Sequence, residues 1–228
     1  MASHLRLSII RTMAMKWVGD RLELIPSVRE ARQANRRSVA EAWKSDSKGP
    51  PPHELKELIV LAYSDPKFTL FIESGTYYGD MVQAVKGHFD RVISIEVDPP
   101  LASIARLRFL TSRRVLILQG DSGSLLPEVL SDESARCVFW LDGHYSGGVT
   151  AKGEDVTPVV RELNAIMKNA DGQHIILIDD AREFGKDPSY PLLIDIERIA
   201  RAHGYDFSVE WDVIQLTPRL NVTPTASK

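Results

Sequence analysis

The sequence predicts an α/β protein built around a doubly wound sheet of seven strands, five of them parallel, with helices on both faces. Three observations lead to this fold class. From residue 53 onward, helical patterns alternate with short apolar strands, as in units with right-handed crossovers. Strands such as Ile175–Ile178 are apolar at every position, which is typical of a parallel sheet covered on both faces. The last two strands, Phe207–Trp211 and Val213–Thr217, are separated only by Asp212 and must therefore form an antiparallel hairpin.

The individual elements follow from the spacing of apolar residues. Apolar residues three and four positions apart predict helices, and short apolar runs between turn residues predict strands. The predicted helices of the main domain cover residues 53–64, 80–87, 100–110, 122–130, 156–169 and 191–203. The predicted parallel strands cover residues 68–73, 91–96, 115–119, 137–142 and 174–179.

An N-terminal helical extension precedes this domain. Apolar residues at helical spacing predict one helix over residues 3–19 and a second over residues 28–43. Residues 1–50 contain 10 Lys and Arg against 5 Asp and Glu, whereas the remainder contains 18 against 26. Because Ser45–Pro52 has the composition of a linker, we divide the chain into a basic extension with its linker (1–50) and a main domain (51–228). We expect the extension to cover the core or to form a homodimer, with a membrane surface or an anionic partner as the alternative.

The composition is that of a globular protein without a strong charge field. The chain has 228 residues, of which 43% are hydrophobic and 26% charged, and its formal net charge is −3. This charge gives no overall basic field for non-specific nucleic-acid binding, so we expect no nucleic-acid partner. The single cysteine, Cys137, excludes an internal disulfide and a cysteine-rich metal site. No run reaches 18 apolar residues and no signal peptide is recognised, so we predict a cytoplasmic protein.

Acidic residues stand at or just beyond the carboxyl end of every predicted parallel strand. In chain order they are Glu73, Glu96, Asp121, Asp142 and the pair Asp179–Asp180. The ligands of open α/β sheets bind outside these strand ends, which meet at one edge of the sheet. A single Asp at such a place is commonly a helix N-cap. Because all five strands end this way, however, we predict a ligand-binding edge.

The first strand leads into the segment Phe71–Asp80, on which the functional interpretation depends. Here a carboxylate is followed by two glycines four positions apart, Gly75 and Gly79, and then by a helical pattern. Glycine permits a tight turn and a close approach of the backbone to a ligand. The free N–H groups of the helix that follows favour polar or anionic ligand atoms. The segment therefore predicts a strand, a tight turn and a helix start beside a ligand, although a purely structural turn uses glycine for the same reason.

The next two strand ends fit the parts of a nucleoside. An acid at the end of the second strand, here Glu96, commonly accepts the hydroxyl groups of a ribose. After the third strand, Asp121 or Ser122 is positioned to meet the adenine amino group, although either residue could instead cap the helix that begins there.

Asp142, Asp179 and Asp180 form a separate group at two strand ends. Three neighbouring carboxylates repel one another unless a cation or protons intervene. Oxygen ligands suit Mg²⁺ or a similar divalent ion, which can also accept substrate oxygens. The alternative is that one Asp caps a helix while another accepts hydrogen bonds from backbone N–H groups.

These residues resemble a known family. The turn reads Glu73-Ser74-Gly75-Thr76-Tyr77-Tyr78-Gly79 and is similar to the Glu-x-Gly-Thr-x-x-Gly turn of the metal-dependent class I S-adenosylmethionine O-methyltransferases of the catechol type. Residues 95–99 are similar to the ribose-binding segment of that family. Asp142 and Asp179–Asp180 fall where the family has its metal-binding Asp and Asp-Asn pair. The resemblance extends over residues 68–217.

The resemblance implies a Rossmann-like fold, S-adenosylmethionine as the methyl donor and a divalent cation, most naturally Mg²⁺. The residues that it implies for cofactor binding are Glu73, Gly75, Thr76, Tyr77, Gly79, Glu96, Asp121, Ser122 and Asp142. Those that it implies for the metal are Asp142, Asp179 and Asp180. The implied reaction transfers a methyl group to a hydroxyl of a small molecule or sugar and leaves S-adenosylhomocysteine.

The catalytic base is where the sequence departs from the catechol type. That type has a lysine three residues after the first metal Asp, and the residue here is Tyr145. The spacing Asp142-Gly143-His144 is closer to that of sugar O-methyltransferases of the macrocin and aminocoumarin type, which have a base two residues after the Asp. We therefore predict His144 as the base beside Asp142, with Tyr145 and Lys152 in reserve.

Three other classes of protein share parts of this pattern. An NAD-dependent oxidoreductase usually has a Gly-x-Gly-x-x-Gly turn and a separate catalytic domain, and neither is predicted here. A nucleic-acid methyltransferase would have the same cofactor turn but a basic cleft, whereas the predicted edge is acidic. A non-catalytic protein that binds an adenosyl or nucleotide ligand is the remaining alternative.

Overall fold

The computed structural model describes residues 12, 15–16, 20, 26–45, 49–131, 133–143, 157–169 and 173–219. Most of the predicted helix over residues 3–19 lies outside the described residues. The same holds for the predicted base His144 and its two reserves, Tyr145 and Lys152.

The described elements alternate as predicted. The helices are α1 (Pro26–Ser45), α2 (His53–Ala62), α3 (Asp80–Val85), α4 (Pro99–Arg108), α5 (Ser122–Ser131), α6 (Val159–Asn169) and α7 (Leu193–Ala202), with a short 3-10 helix at Ala181–Glu183. The strands are β1 (Leu70–Ser74), β2 (Arg91–Glu96), β3 (Val115–Gln119), β4 (Cys137–Leu141), β5 (Ile175–Ile178), β6 (Tyr205–Glu210) and β7 (Val213–Pro218).

The seven strands form one sheet in the order β3-β2-β1-β4-β5-β7-β6. Strands β1 to β5 are parallel, and β7 runs antiparallel to both β5 and β6. The predicted fold class is therefore confirmed. The hairpin is longer than predicted because Tyr205 already pairs with Pro218. Its turn, Trp211-Asp212, has a positive φ at both residues, as tight hairpin turns require.

Two hydrophobic clusters fill the space above and below the sheet. Alternate residues of β1 point to opposite faces, so that Leu70 and Ile72 belong to one cluster and Phe71 to the other. Helices α5, α6 and α7 cover the first face, and α1 to α4 cover the second. This arrangement explains why every residue of β1, β4 and β5 is buried.

The N-terminal helix α1 packs against this second face. Its Ala40 is buried in the hydrophobic cluster, and its Arg36 forms an ion pair with Glu57 of α2. Its Trp43 packs edge-on against Trp211, with the ring centroids 6.1 Å apart. None of the described helices is both long enough and apolar enough to span a membrane.

The strand order determines where a ligand can bind. From β1 the chain continues to β2 and β3 on one side of the sheet, whereas β4 and β5 lie on the other side of β1. The crevice at such a switch point opens at the carboxyl ends of the two central strands. Ser74 of β1 and Leu141 of β4 are paired at this point, so the two predicted groups of site residues border the same crevice.

Candidate functional site

The turn after β1 is held tightly between the neighbouring strands. Gly75 has φ +84°, and its N–H donates to the carbonyl of Ile95 on β2 at 2.9 Å. A Cβ atom at this position would lie 2.9 Å from the carbonyl carbon of Asp142 and closer still to its oxygen. Only glycine fits here, because any other side chain would separate the turn from the end of β4.

Glu96, at the end of β2, is bound directly to this turn. Its Oε2 accepts the N–H of Tyr77 at 2.7 Å, and its Oε1 accepts the N–H of Asp98 at 3.0 Å. Tyr77 has φ 49° and is 47% exposed, and its ring packs against that of Tyr78 with the ring centroids 4.3 Å apart. Burial raises the pKa of Glu96, while these backbone N–H groups act in the opposite direction.

Glu73 lies beneath the turn in a chain of hydrogen bonds. Ser94 of β2 donates its hydroxyl to Glu73, and the hydroxyl groups of Ser94 and Thr76 are 2.5 Å apart. All three residues are buried. Burial holds the pKa of Glu73 well above its usual range, even though the Ser94 hydroxyl lowers it. The predicted cofactor turn is therefore joined to β2 through both Glu73 and Glu96.

At the end of β3, Asp121 serves as a cap and a bridge. Its carboxylate accepts the backbone N–H and the hydroxyl of Ser124, both at 2.9 Å, within the first turn of α5. It also receives a two-pronged contact from Arg161 of α6 at 2.9 and 3.0 Å. The capping alternative that the sequence left open is thus what the geometry favours for Asp121. Ser122 is buried beside it.

The three predicted metal ligands come together at the ends of β4 and β5. Carboxylate oxygens of Asp142, Asp179 and Asp180 all lie within 4.8 Å of one another. The N–H of Asp142 donates to Ser74 at 3.1 Å, and that of Asp179 donates to Leu141 at 3.0 Å, so the backbone of each Asp continues the sheet. We call Asp142, Asp179 and Asp180 the acidic triad. Three carboxylates at this spacing are a donor set that fits a divalent cation.

Two cations that the sequence analysis did not identify contact the acidic triad. Lys56 of α2 places its Nζ against Asp179 Oδ2 and 3.5 Å from Asp180 Oδ1. Arg182 donates to Asp180 Oδ1 at 2.8 Å and also forms an ion pair with Asp212 in the turn of the hairpin. Neither residue belongs to a recognisable motif, so no signal in the sequence could have indicated these contacts.

The charges within this group shift one another's pKa values. Burial is the main reason why the pKa of Asp179 is raised, with Asp142 acting in the same direction and Lys56 against it. Burial alone would lower the pKa of Lys56, but the carboxylates of Asp179 and Asp142 more than offset it and raise the pKa. Both shifts follow from placing like and unlike charges in a region that excludes water.

A further carboxylate, Glu162, lies at the base of the same crevice. Glu162 is in the first turn of α6 and is fully buried next to Ser122, Ser74 and Gly143. Burial raises its pKa to about 7, although the hydroxyl groups of Ser122 and Ser74 act in the opposite direction. An acid in the first turn of a helix is ordinary in sequence terms, so its burial here is a product of the tertiary structure.

We expect the substitution Glu162→Gln to remove part of the pH dependence of stability. Because the folded protein holds the proton on Glu162 more tightly than the unfolded chain does, this group's contribution to stability falls as pH rises from about 4.5 to about 7. The fall corresponds to about 3 kcal/mol in the free energy of unfolding. Urea denaturation at pH 5 and pH 8 should therefore show that the free energy of unfolding falls less between these two pH values for Glu162→Gln than for the unchanged protein.

The exposed Glu128→Gln on α5 is the control for this measurement and should behave like the unchanged protein. An equal loss of stability between pH 5 and pH 8 in the unchanged protein and in Glu162→Gln would contradict the raised pKa.

No family model matches the chain, and no curated protein matches its sequence. Solved structures with the same fold do exist. An SAH-bound methyltransferase of Podospora anserina has 14% identity and a TM-score of 0.52, and the match covers 82% of this chain and 87% of that one. A Staphylococcus aureus protein provisionally assigned as a caffeoyl-CoA O-methyltransferase has 12% identity and a TM-score of 0.52, with 86% and 98% of the two chains covered.

A third structure, from Streptococcus mutans, is provisionally assigned as a methyltransferase and was solved in complex with SAH. It has 13% identity and a TM-score of 0.53, and the match covers 74% of this chain and 97% of that one. Identities this low establish the fold alone. The chain has the seven-stranded, Rossmann-like fold of S-adenosylmethionine-dependent methyltransferases.

Proposed function

We propose that this protein is an S-adenosylmethionine-dependent O-methyltransferase that acts on a hydroxyl group of a small molecule or sugar. The observation that carries the proposal is the contact of the Gly75 turn with both halves of the crevice. On one side, Glu96 accepts the N–H of Tyr77. On the other side, the turn lies against the backbone of Asp142, the first member of the acidic triad. A methyl donor on the turn and an acceptor at the triad would thus be neighbours.

In this proposal the adenosyl cofactor lies along the ends of β1, β2 and β3. Glu96 accepts the ribose hydroxyl groups through the lone pairs that its two backbone hydrogen bonds leave available. The turn from Glu73 to Gly79 lets the backbone approach the cofactor closely at the start of α3, because Gly75 and Gly79 carry no side chain. The adenine amino group meets Ser122 or Asp121 at the start of α5, and Asp142 approaches the methionine part of the cofactor from β4.

The acceptor hydroxyl lies beside the acidic triad. A divalent cation held by Asp142, Asp179 and Asp180, most naturally Mg²⁺, would lower the pKa of that hydroxyl. S-adenosylmethionine, when bound, would supply the methyl group: the hydroxyl oxygen would attack the methyl carbon, and the bond between that carbon and sulfur would break with its electron pair left on the sulfur of S-adenosylhomocysteine. His144, two residues after Asp142, takes the proton that the hydroxyl loses. Tyr145 and Lys152 are the reserve candidates for this role.

One observation favours a second candidate function, a non-catalytic protein that binds an adenosyl ligand. Lys56 and Arg182 already provide positive charge at Asp179 and Asp180, so the triad has internal counter-ions. Methyl transfer to any acceptor, found by screening candidates with methyl-labelled cofactor, separates the two functions.

Four expectations from the sequence remain predictions. They are a homodimer formed through the N-terminal helices, a cytoplasmic location, the lack of a nucleic-acid partner and the domain boundary near residue 50.

Cofactor identity is tested by the thermal stability of the protein with SAH and with NAD. A ligand that binds only the folded state at about a hundred times its Kd stabilises by about 2.7 kcal/mol. For a chain of this size we expect SAH to raise the Tm by about 5 °C or more. NAD should leave the Tm unchanged, which would exclude the oxidoreductase alternative.

Glu96→Gln should reduce the SAH effect, and the exposed Asp206→Asn on β6 is the control that should not. A rise in Tm with NAD but not with SAH would reject the methyltransferase proposal.

The role of the acidic triad is tested by turnover with an acceptor found in that screen. We expect a chelator to abolish turnover and Asp179→Asn to lower it by about a hundredfold, because the metal site loses a ligand. SAH binding should persist in both cases, since Glu96 and the turn are unchanged.

The matched control is Asp187→Asn, which removes an exposed carboxylate from the segment after β5. Full activity of Asp179→Asn, or turnover that survives chelation, would mean that the reaction needs no metal at this site.

The role of His144 is tested by the pH dependence of turnover. A histidine base must be neutral to accept a proton, so we expect the rate to rise with pH as the base loses its proton. In His144→Ala, turnover should fall strongly and this rise should disappear, while SAH affinity should change little. If the profile of His144→Ala keeps the same shape, the base is another residue, and Tyr145→Phe and Lys152→Met are the next variants to measure.

A further inference from the structure

Lys56 reaches the acidic triad from α2, the first helix after the linker. It lies in the first turn of α2, and its Nζ contacts Asp179 Oδ2 across 123 positions of sequence. The side chain is only 15% exposed, so its charge is directed into the crevice rather than into solvent. Asp180 Oδ1 is 3.5 Å from the same Nζ. Lys56 therefore lies between two members of the triad.

The carboxylate of Asp179 has a hydrogen-bond partner on each oxygen. Oδ2 faces Lys56, while Oδ1 accepts the N–H of Asp180 at 2.8 Å. The side chain of Asp179 is 1% exposed. Oδ1 thus already accepts the backbone N–H of the next residue, whereas Oδ2 accepts from the side chain of Lys56, so the ammonium group contacts one of the two oxygens that Asp179 could offer to an ion.

Arg182 occupies a different position. It contacts Asp180 from the side of the hairpin, is 34% exposed, and shares its charge with Asp212. Its guanidinium group also lies next to Glu183, with Nε 3.1 Å from that carboxylate. Arg182 thus belongs to an outer ion-pair network, and Lys56 is the cation on the inner side of Asp179.

We propose that Lys56 is a built-in competitor for the metal, whose ammonium group contacts the oxygen atoms of Asp179 and Asp180 that would bind a divalent ion. This inference rests on the proposed function, which supplies the ion. An ammonium group and a divalent ion repel each other, so Lys56 at these oxygens opposes the binding of a divalent ion there. The repulsion falls when the flexible four-carbon side chain of Lys56 moves away, and Lys56 therefore sets how tightly the site binds metal.

The competition predicts that removing the charge of Lys56 tightens metal binding. The probe is Mn²⁺, titrated into the full-length protein and followed by electron paramagnetic resonance and by calorimetry. We expect Lys56→Met to bind Mn²⁺ about tenfold or more tightly than the unchanged protein does, because a cation at the same oxygens has been removed. The matched control is Lys168→Met on α6, which removes the same charge from an exposed position. It should leave Mn²⁺ binding unchanged.

Lys56→Met also leaves a buried carboxylate without its counter-ion, which can impair folding. A second variant, Lys56→Gln, keeps a hydrogen-bond donor toward Asp179 but not the charge, and should tighten Mn²⁺ binding in the same direction. Melting curves with chelator and with Mn²⁺ add a measurement that needs no activity. We expect Mn²⁺ to raise the Tm of both Lys56 variants by more than it raises the Tm of the unchanged protein.

These measurements distinguish a failure of the inference about Lys56 from a failure of the proposed methyltransferase function. Mn²⁺ binding that is unchanged or weaker in both Lys56 variants would overturn the inference, and Lys56 would then be a structural ion-pair partner. SAH binding, measured on the same samples, tests the cofactor proposal independently of Lys56. Adding Asp179→Asn to Lys56→Met should abolish the tightened Mn²⁺ binding; if it persists, the ion binds elsewhere and the inference also fails.

Discussion

The structure depends on one constraint, which is that several carboxylates are buried at a single edge of a parallel sheet. A buried charge is costly unless it is paired or hydrogen-bonded. The protein meets this requirement differently at each strand end. Glu73 receives a serine hydroxyl, Glu96 receives two backbone N–H groups, and Asp179 receives a lysine ammonium group. Each pairing also connects one strand end to a neighbouring element. The contacts that stabilise the buried carboxylates are therefore the same contacts that hold the crevice in shape.

The Gly75 turn is the element through which the two halves of this edge are coupled. It is bonded to β2 through Ile95 and packed against the backbone of Asp142 at the end of β4. A displacement of the turn would therefore displace Asp142. If a donor bound one half and an acceptor the other, as proposed, this coupling would hold the reacting atoms at a constant separation, which is itself a large source of rate enhancement.

The segments on both sides of the linker make ion pairs that their composition did not indicate. After the linker, α2 of the main domain delivers Lys56 to the acidic triad. Upstream of α1, Asp20 forms a two-pronged contact with the buried Arg108 at 2.7 and 2.9 Å, and Arg108 in turn contacts Asp80 at the start of α3. Asp20 is thus connected through Arg108 to α3, the helix that follows the Gly75 turn.

The sequence by itself determined where the strands lie, which acidic residue stands at the end of each parallel strand, and that Asp142, Asp179 and Asp180 form one group. The bounds of β2 and β3 were predicted to the residue, because each strand is a short apolar run between polar turn residues. The carboxylates could be assigned to one edge because parallel strands share a direction. Only the tertiary structure decided which groups neutralise them. Lys56, Arg161 and Glu162 carry no periodic signal, since the pairing of charges across elements depends on helix packing, and hydrophobic periodicity contains no information about that packing.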